Sequence, residues 1–167
     1  ADLDNDGRLD IAAARSDALS ATGGRGDSAA EPPSWFRNAG GKFVLGSGWA
    51  ELPRAMWRGV AAADLNNDGC LDVVLTALSE RPAVLRNPCA GGANWLKVDV
   101  REPGARVRAG SAWRVLATSS GYASANVGPL HFGLGNASVV NVEVFWPGGK
   151  SKRVVAVKAN QTLRIEP

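Results

Sequence analysis

Two stretches of the chain place oxygen-bearing side chains at alternate positions and follow them with glycine. Residues 2–10 read Asp2-Leu3-Asp4-Asn5-Asp6-Gly7-Arg8-Leu9-Asp10, and residues 64–72 read Asp64-Leu65-Asn66-Asn67-Asp68-Gly69-Cys70-Leu71-Asp72. A hard cation such as calcium takes about 6–8 oxygens, and a short loop supplies them only if the backbone turns sharply. Glycine at the sixth position permits that turn, because it adopts positive φ without a Cβ clash. The expected ligands are Asp2, Asp4, Asp6, the carbonyl of Arg8 and Asp10 in the first loop. In the second they are Asp64, Asn66, Asp68, the carbonyl of Cys70 and Asp72. Four carboxylates against three predict the tighter site in the first loop.

A helix–loop–helix calcium site would place glutamate at the twelfth position and continue into a helix. Here that position holds Ala13 in one loop and Leu75 in the other. The loops run on into Ile11-Ala12-Ala13-Ala14 and Val73-Val74-Leu75-Thr76, and the second run is β-branched and reads as a strand. The ninth-position aspartate must then close the site inside a tight hairpin loop. Calcium in such loops is expected to tie strands together rather than to act as a switch. Two copies at one spacing argue against an acidic turn without metal.

The elements that position these loops are strands. Short β-branched or alternating runs recur between glycine-rich breaks: Asp72–Thr76, Leu96–Val100, Val139–Phe145, Arg153–Val157 and Leu163–Ile165. One helical turn is expected within Ala50–Val60. The class is all-β, with strands spaced as in a sandwich, barrel or propeller. The acidic loops repeat at an offset of 62, and Trp35-Phe36-Arg37-Asn38 is echoed by Val84-Leu85-Arg86-Asn87 at an offset of 49. The first unit therefore carries 13 extra residues, within a polar Gly/Pro-rich surface loop that includes Arg25-Gly26-Asp27-Ser28.

The 167 residues make one ordinary domain or two small ones, with 45% hydrophobic and 21% charged residues, which excludes a disordered chain. No apolar run reaches the length of a membrane-spanning helix. No charged-then-apolar leader opens the chain, and it begins at Ala1 inside a motif, which reads as a fragment or a processed product. One histidine and two cysteines exclude a zinc finger or a His-rich catalytic metal site. The phosphate-loop and nucleophile-elbow strings are absent. The formal net charge of +3 hides a split: residues 1–90 hold 9 Lys/Arg and 12 Asp/Glu, and residues 91–167 hold 10 and 4. A boundary is placed at Pro88 to Gly92, giving 1–90 as calcium-binding repeats and 91–167 as a second β-domain. Apart from Lys150-Ser151-Lys152-Arg153, the basic charges of the second half are scattered, so a solvated face, an acidic polysaccharide or a neighbouring subunit suits them better than nucleic acid.

The D-x-[DN]-x-D-G-x-x-D loop, followed by a strand and an R-N step, resembles the FG-GAP/VCBS repeat, the calcium-loop blade unit of integrin-type β-propellers. The remainder resembles the ASPIC/UnbV domain that follows such repeats in cartilage-acidic-protein-like secreted proteins. That likeness is carried by Asn94–Val98, Gly104–Val107, Ser119–Tyr122, His131-Phe132-Gly133-Leu134-Gly135 and Val142–Gly149. The resemblance implies partial propeller-like blades with calcium loops and a C-terminal sandwich or barrel-like domain. It also implies an extracellular calcium-binding or matrix-type module, with no established catalysis.

The other features weigh as follows. Cys70 and Cys89 are 19 apart, and a blade hairpin would bring them together; a disulfide is expected in an oxidising compartment, two buried thiols otherwise. Asn136-Ala137-Ser138 and Asn160-Gln161-Thr162 are glycan acceptor sequons. Arg25, Gly26 and Asp27 spell the integrin-recognition tripeptide, a string also frequent by chance. His131 has no ligand or nucleophile partner in sequence and reads as structural. Trp95, Trp113 and Trp146 fall in or beside strands, where core packing is the default and sugar stacking the alternative. Together these describe a secreted, calcium-stabilised structural or adhesion module, not an enzyme. Its partners would be other copies of itself, or matrix and cell-surface components. Its acidic and basic halves suggest head-to-tail docking into a filament. The alternative is a carbohydrate-binding module using exposed aromatics.

Overall fold

The computed structural model describes residues 1–15, 30–78, 80–89, 91–119 and 128–167. The repeat in the sequence is also a repeat of backbone. After the first acidic loop, β1 (Ile11–Ala13) pairs antiparallel with β2 (Ser34–Asn38), which pairs with β3 (Phe43–Leu45). After the second loop, β5 (Asp72–Ala77) pairs with β6 (Ala83–Leu85) on one edge and β4 (Trp57–Ala63) on the other. The register is the same in both units, with Ile11 opposite Phe36 and Val73 opposite Leu85. The sequence offsets of 62 and 49 thus mark equivalent places in two small antiparallel sheets. Leu3, Ala55, Trp57, Leu71, Val73 and Leu75 form their common core, with Trp35 and Trp49 packed against it. The helical turn expected within Ala50–Val60 is a single 3-10 turn at Trp49–Glu51; the chain then extends and enters β4 at Trp57.

The C-terminal part is a two-sheet β-sandwich. One sheet has the order β10-β7-β13, built from β7 (Asn94–Asp99), β10 (Leu130–Gly135) and β13 (Gln161–Arg164). The other has the order β12-β11-β8-β9, built from β8 (Arg106–Ala109), β9 (Ala112–Val115), β11 (Val139–Phe145) and β12 (Ser151–Lys158). Alternate residues of both sheets meet in a second core containing Leu96, Val98, Val107, Phe132, Val142, Val144 and Trp146. The strand β13 runs parallel to β7, with Gln161 opposite Leu96 and Arg164 opposite Asp99. The fold is all-β, in several small sheets and, among the described residues, without a closed barrel. Among the described residues no helix is long and apolar enough to cross a membrane.

Trp146 is core, whereas Trp113 lies on the outer face of the four-stranded sheet, 46% exposed and stacked on Phe145. The Arg25-Gly26-Asp27 tripeptide and residues 120–122 of the resemblance lie outside the described residues.

Candidate metal centre

Each acidic loop is wound by the same internal hydrogen bonds. The first-position aspartate accepts from the glycine N–H, Gly7 to Asp2 at 3.0 Å and Gly69 to Asp64 at 2.8 Å. The fifth-position aspartate accepts from the seventh N–H, Arg8 to Asp6 and Cys70 to Asp68. The fourth residues, Asn5 and Asn67, have φ of 59° and 60°, and the glycines have φ of 92°, so each loop needs two left-handed residues in three. The ninth-position aspartate clamps the loop. Asp10 accepts from Leu3 N–H and Asn38 N–H, both at 2.8 Å; Asp72 accepts from Leu65 N–H at 3.1 Å and Asn87 N–H at 2.8 Å. The R-N echo has its reason here: Asn38 and Asn87 close the loops through their backbones, and their amides donate to Leu9 and Leu71 carbonyls.

Beyond this shared frame the loops differ. In the first, carboxylate oxygens of Asp2, Asp4 and Asp10 lie within 4.8 Å of one another. Asp2 and Asn5 are 1% and 2% exposed, and Asp2 Oδ1 and Asn5 Oδ1 are buried with no hydrogen-bond partner. Burial pushes the Asp2 carboxyl up to about 6, against the pull of Arg114. Asp4 is raised as well, by burial and then by Asp6 and Asp10. Buried, unpartnered oxygens amid crowded negative charge suit a divalent cation that prefers oxygen ligands. Asp2, Asp4 and Asp10 fit that role; Asp6 is turned toward Arg8, with which it forms an ion pair.

In the second loop the carboxylates already have partners. Asp64 Oδ2 lies 2.6 Å from Lys97 Nζ, with side chains 2% and 9% exposed. Asp68 is held below the usual carboxylate range by the Cys70 N–H and then by the Asn66 amide. Among the described residues the other gathering of candidate ligands is Asp68 with Cys70 and Cys89. Those two sulfurs are bonded to each other as a disulfide, with Cα atoms 5.7 Å apart.

Both loops are pressed against the sheet β10-β7-β13. Gly133 N–H donates to Asp2 at 3.1 Å, Gly135 N–H donates to the Asn5 carbonyl at 2.8 Å, and Arg114 Nη2 lies 3.8 Å from Asp2. His131 Nε2 donates to the Gly69 carbonyl at 3.0 Å, and Asn5 Nδ2 donates to the same oxygen at 3.1 Å. Two glycines make this approach possible. A Cβ on Gly69 would overlap the Trp95 indole, and one on Gly133 would overlap Asp2 and the Asn5 backbone. Lys97, Arg114, Trp95 and Gly133 carry no loop motif, and the sequence reading did not assign them to the site. For Lys97 and Arg114 the signal was the charge split, with the acidic half complementing the basic one. Burial takes His131 down to about 4, and its Nδ1 is buried without a partner.

The two sequons differ in setting. Asn136 is exposed in the turn after β10; Asn160 is exposed too, but its amide donates to Asn94 and accepts from Trp95 N–H.

A repeat unit built on D-x-[DN]-x-D-G-x-x-D loops, joined to a sandwich that buries the H-F-G-L-G strand, defines a class. Residues 2–75 match the FG-GAP-like repeat and residues 97–167 match ASPIC and UnbV, so the chain carries both in that order. Cartilage acidic protein 1 of Mus musculus and of Homo sapiens is each 31% identical to it, over 72% of this chain and 21% of the relative. The protein of the same name from Xenopus tropicalis is 30% identical over the same shares. The chain spans about a fifth of the length of these curated relatives.

Proposed function

We propose that this chain is a secreted, calcium-stabilised structural or adhesion module of matrix type, and not an enzyme. The observation that carries the calcium reading is the buried, unpartnered Asp2 Oδ1 beside the Asp4 and Asp10 carboxylates. Asp2 touches both halves of the molecule, accepting from Gly7 and from Gly133. A cation on Asp2 would therefore stabilise the loop and its contact with the sandwich together. Secretion is supported by the Cys70–Cys89 disulfide, which persists in oxidising compartments, and by the likeness to cartilage acidic protein 1.

The test is thermal melting with calcium and with a chelator. At 100-fold excess over Kd, a ligand specific for the native state stabilises by about 2.7 kcal/mol. For a chain of this size that is a rise in Tm of about 5–10 °C. Asp2→Asn is expected to abolish most of the rise, and an unchanged Tm in the wild-type chain would sink the calcium reading. Carbohydrate binding is the second reading, favoured by Trp113, which is exposed and stacked on Phe145 with Arg108 over its ring. A glycan array on which Trp113→Ala and wild type behave alike would remove it.

A further inference from the structure

The two acidic loops look equivalent in sequence and are not equivalent in their surroundings. Lys97 is 7% exposed, on the face of β7 opposite Leu96 and Val98. Its ammonium lies 2.6 Å from Asp64 Oδ2, 3.4 Å from Asn67 Oδ1 and 5.1 Å from the centroid of the Trp95 ring. These are two oxygens from the second loop and the negative face of an aromatic ring, a cage for a single positive charge. The Asp64 carboxylate expected to lead a metal ligand set is 2% exposed and in direct contact with that ammonium. A divalent ion held by Asp64 would have to displace a buried lysine or lie against it, and two cations sharing a buried carboxylate repel strongly. The Trp95 indole, seated on Gly69, walls the same loop.

We infer that Lys97 is the cation of the second acidic loop, so that the C-terminal sandwich fills with its own ammonium the place that calcium takes in the first loop. The chain then binds one calcium ion, not two, and the second loop is a permanent docking socket for β7. This rests on the calcium reading of the first loop, and the two can fail separately.

The decisive measurement is the number of calcium ions bound per chain at saturation, by isothermal titration or equilibrium dialysis. One ion is expected in the wild-type chain and in Asp64→Asn. Two are expected in Lys97→Met, which removes the charge and keeps most of the stem. Two ions in the wild type would overturn the inference while leaving the first site intact. One ion in a folded Lys97→Met chain would overturn it as well, because loop geometry rather than lysine would then keep metal out. Should Lys97→Met fail to fold, amine acylation of the wild type decides. Lys97 should react at least about tenfold more slowly than the exposed Lys42, equally with calcium and with chelator. Deprotection of Lys97 on adding calcium would show that metal displaces it and would overturn the inference. Should the wild type bind no calcium, the first-loop reading falls; Lys97 protection in the chelated chain then supports the lysine socket, and rapid labelling overturns it.

Discussion

At the scale of single residues, the seam is a set of largely buried polar groups joined by specific hydrogen bonds and ion pairs. His131 shows what that implies for pH. Its Nε2–H is committed to the Gly69 carbonyl; burial above all, then Arg114 and Lys97, disfavour a second proton, while the Gly69 hydrogen bond and, less strongly, Asp64 favour it. With the folded imidazole near 4 and the unfolded one near its ordinary 6.5, the unfolded chain takes up the proton first. The contribution of His131 to stability is therefore complete above about pH 6.5, and it is lost as pH falls toward 4, by about 3 kcal/mol in all. In chelator, the urea midpoint of the wild type should drop between pH 7 and pH 4.5 by more than that of His131→Gln. Equal drops would mean that His131 titrates normally in the fold. Asp2, raised to about 6 in the same seam, has the opposite sign: it penalises the metal-free fold as pH rises past its ordinary value of 3.8 toward 6. Comparison of wild type with the single His131 variant cancels that term.

At the scale of elements, the loops and the strands that follow them were legible because each rests on local chemistry. Glycine at the sixth position, aspartate at the ninth and β-branched residues beyond dictate a turn and then a strand. The Cys70–Cys89 pairing was legible for the same reason, since one hairpin joins the two residues. The function of the R-N echo was not, because it depends on which carbonyls come within reach after the hairpin folds. Asn87 donates to the Leu3 carbonyl at 2.6 Å, 84 residues away, as well as to Leu71 in its own unit. Asn38 donates to Leu9 and accepts from Gly41 N–H, both within its own unit. Asn87→Ala should accordingly cost about 1–3 kcal/mol, through carbonyls left without a donor between the units, and Asn38→Ala less than about 1. Chemical denaturation of the two variants checks this; similar costs would mean that the Leu3 contact contributes nothing. The 3-10 turn at Trp49–Glu51 shows the limit of local reading. Trp49 is fixed by the ring of Trp35, 6.5 Å away, and that neighbour belongs to β2.

At the scale of the whole molecule, two hydrophobic cores are joined through a polar seam rather than an apolar one. The charge complementarity between the halves, which in sequence suggested docking between copies, is used in part inside one chain by the Asp2–Arg114 and Asp64–Lys97 contacts. Sequence alone could not decide between these outcomes, because intramolecular and intermolecular pairing of the same charges leave the same composition. The parallel alignment of β13 with β7 has a mechanical consequence. The chain enters the sandwich at the start of β7 and leaves it at the end of β13, so tension between those points pulls two adjacent strands in opposite directions along their length. The hydrogen bonds between them are then loaded side by side, in shear, and must break together rather than peel one at a time. Stretched from Gly92 to Pro167, the sandwich should resist with a single high rupture force; a low, sawtooth-free extension in single-molecule pulling would contradict this. Load applied between those two points would fall on this one pair of strands.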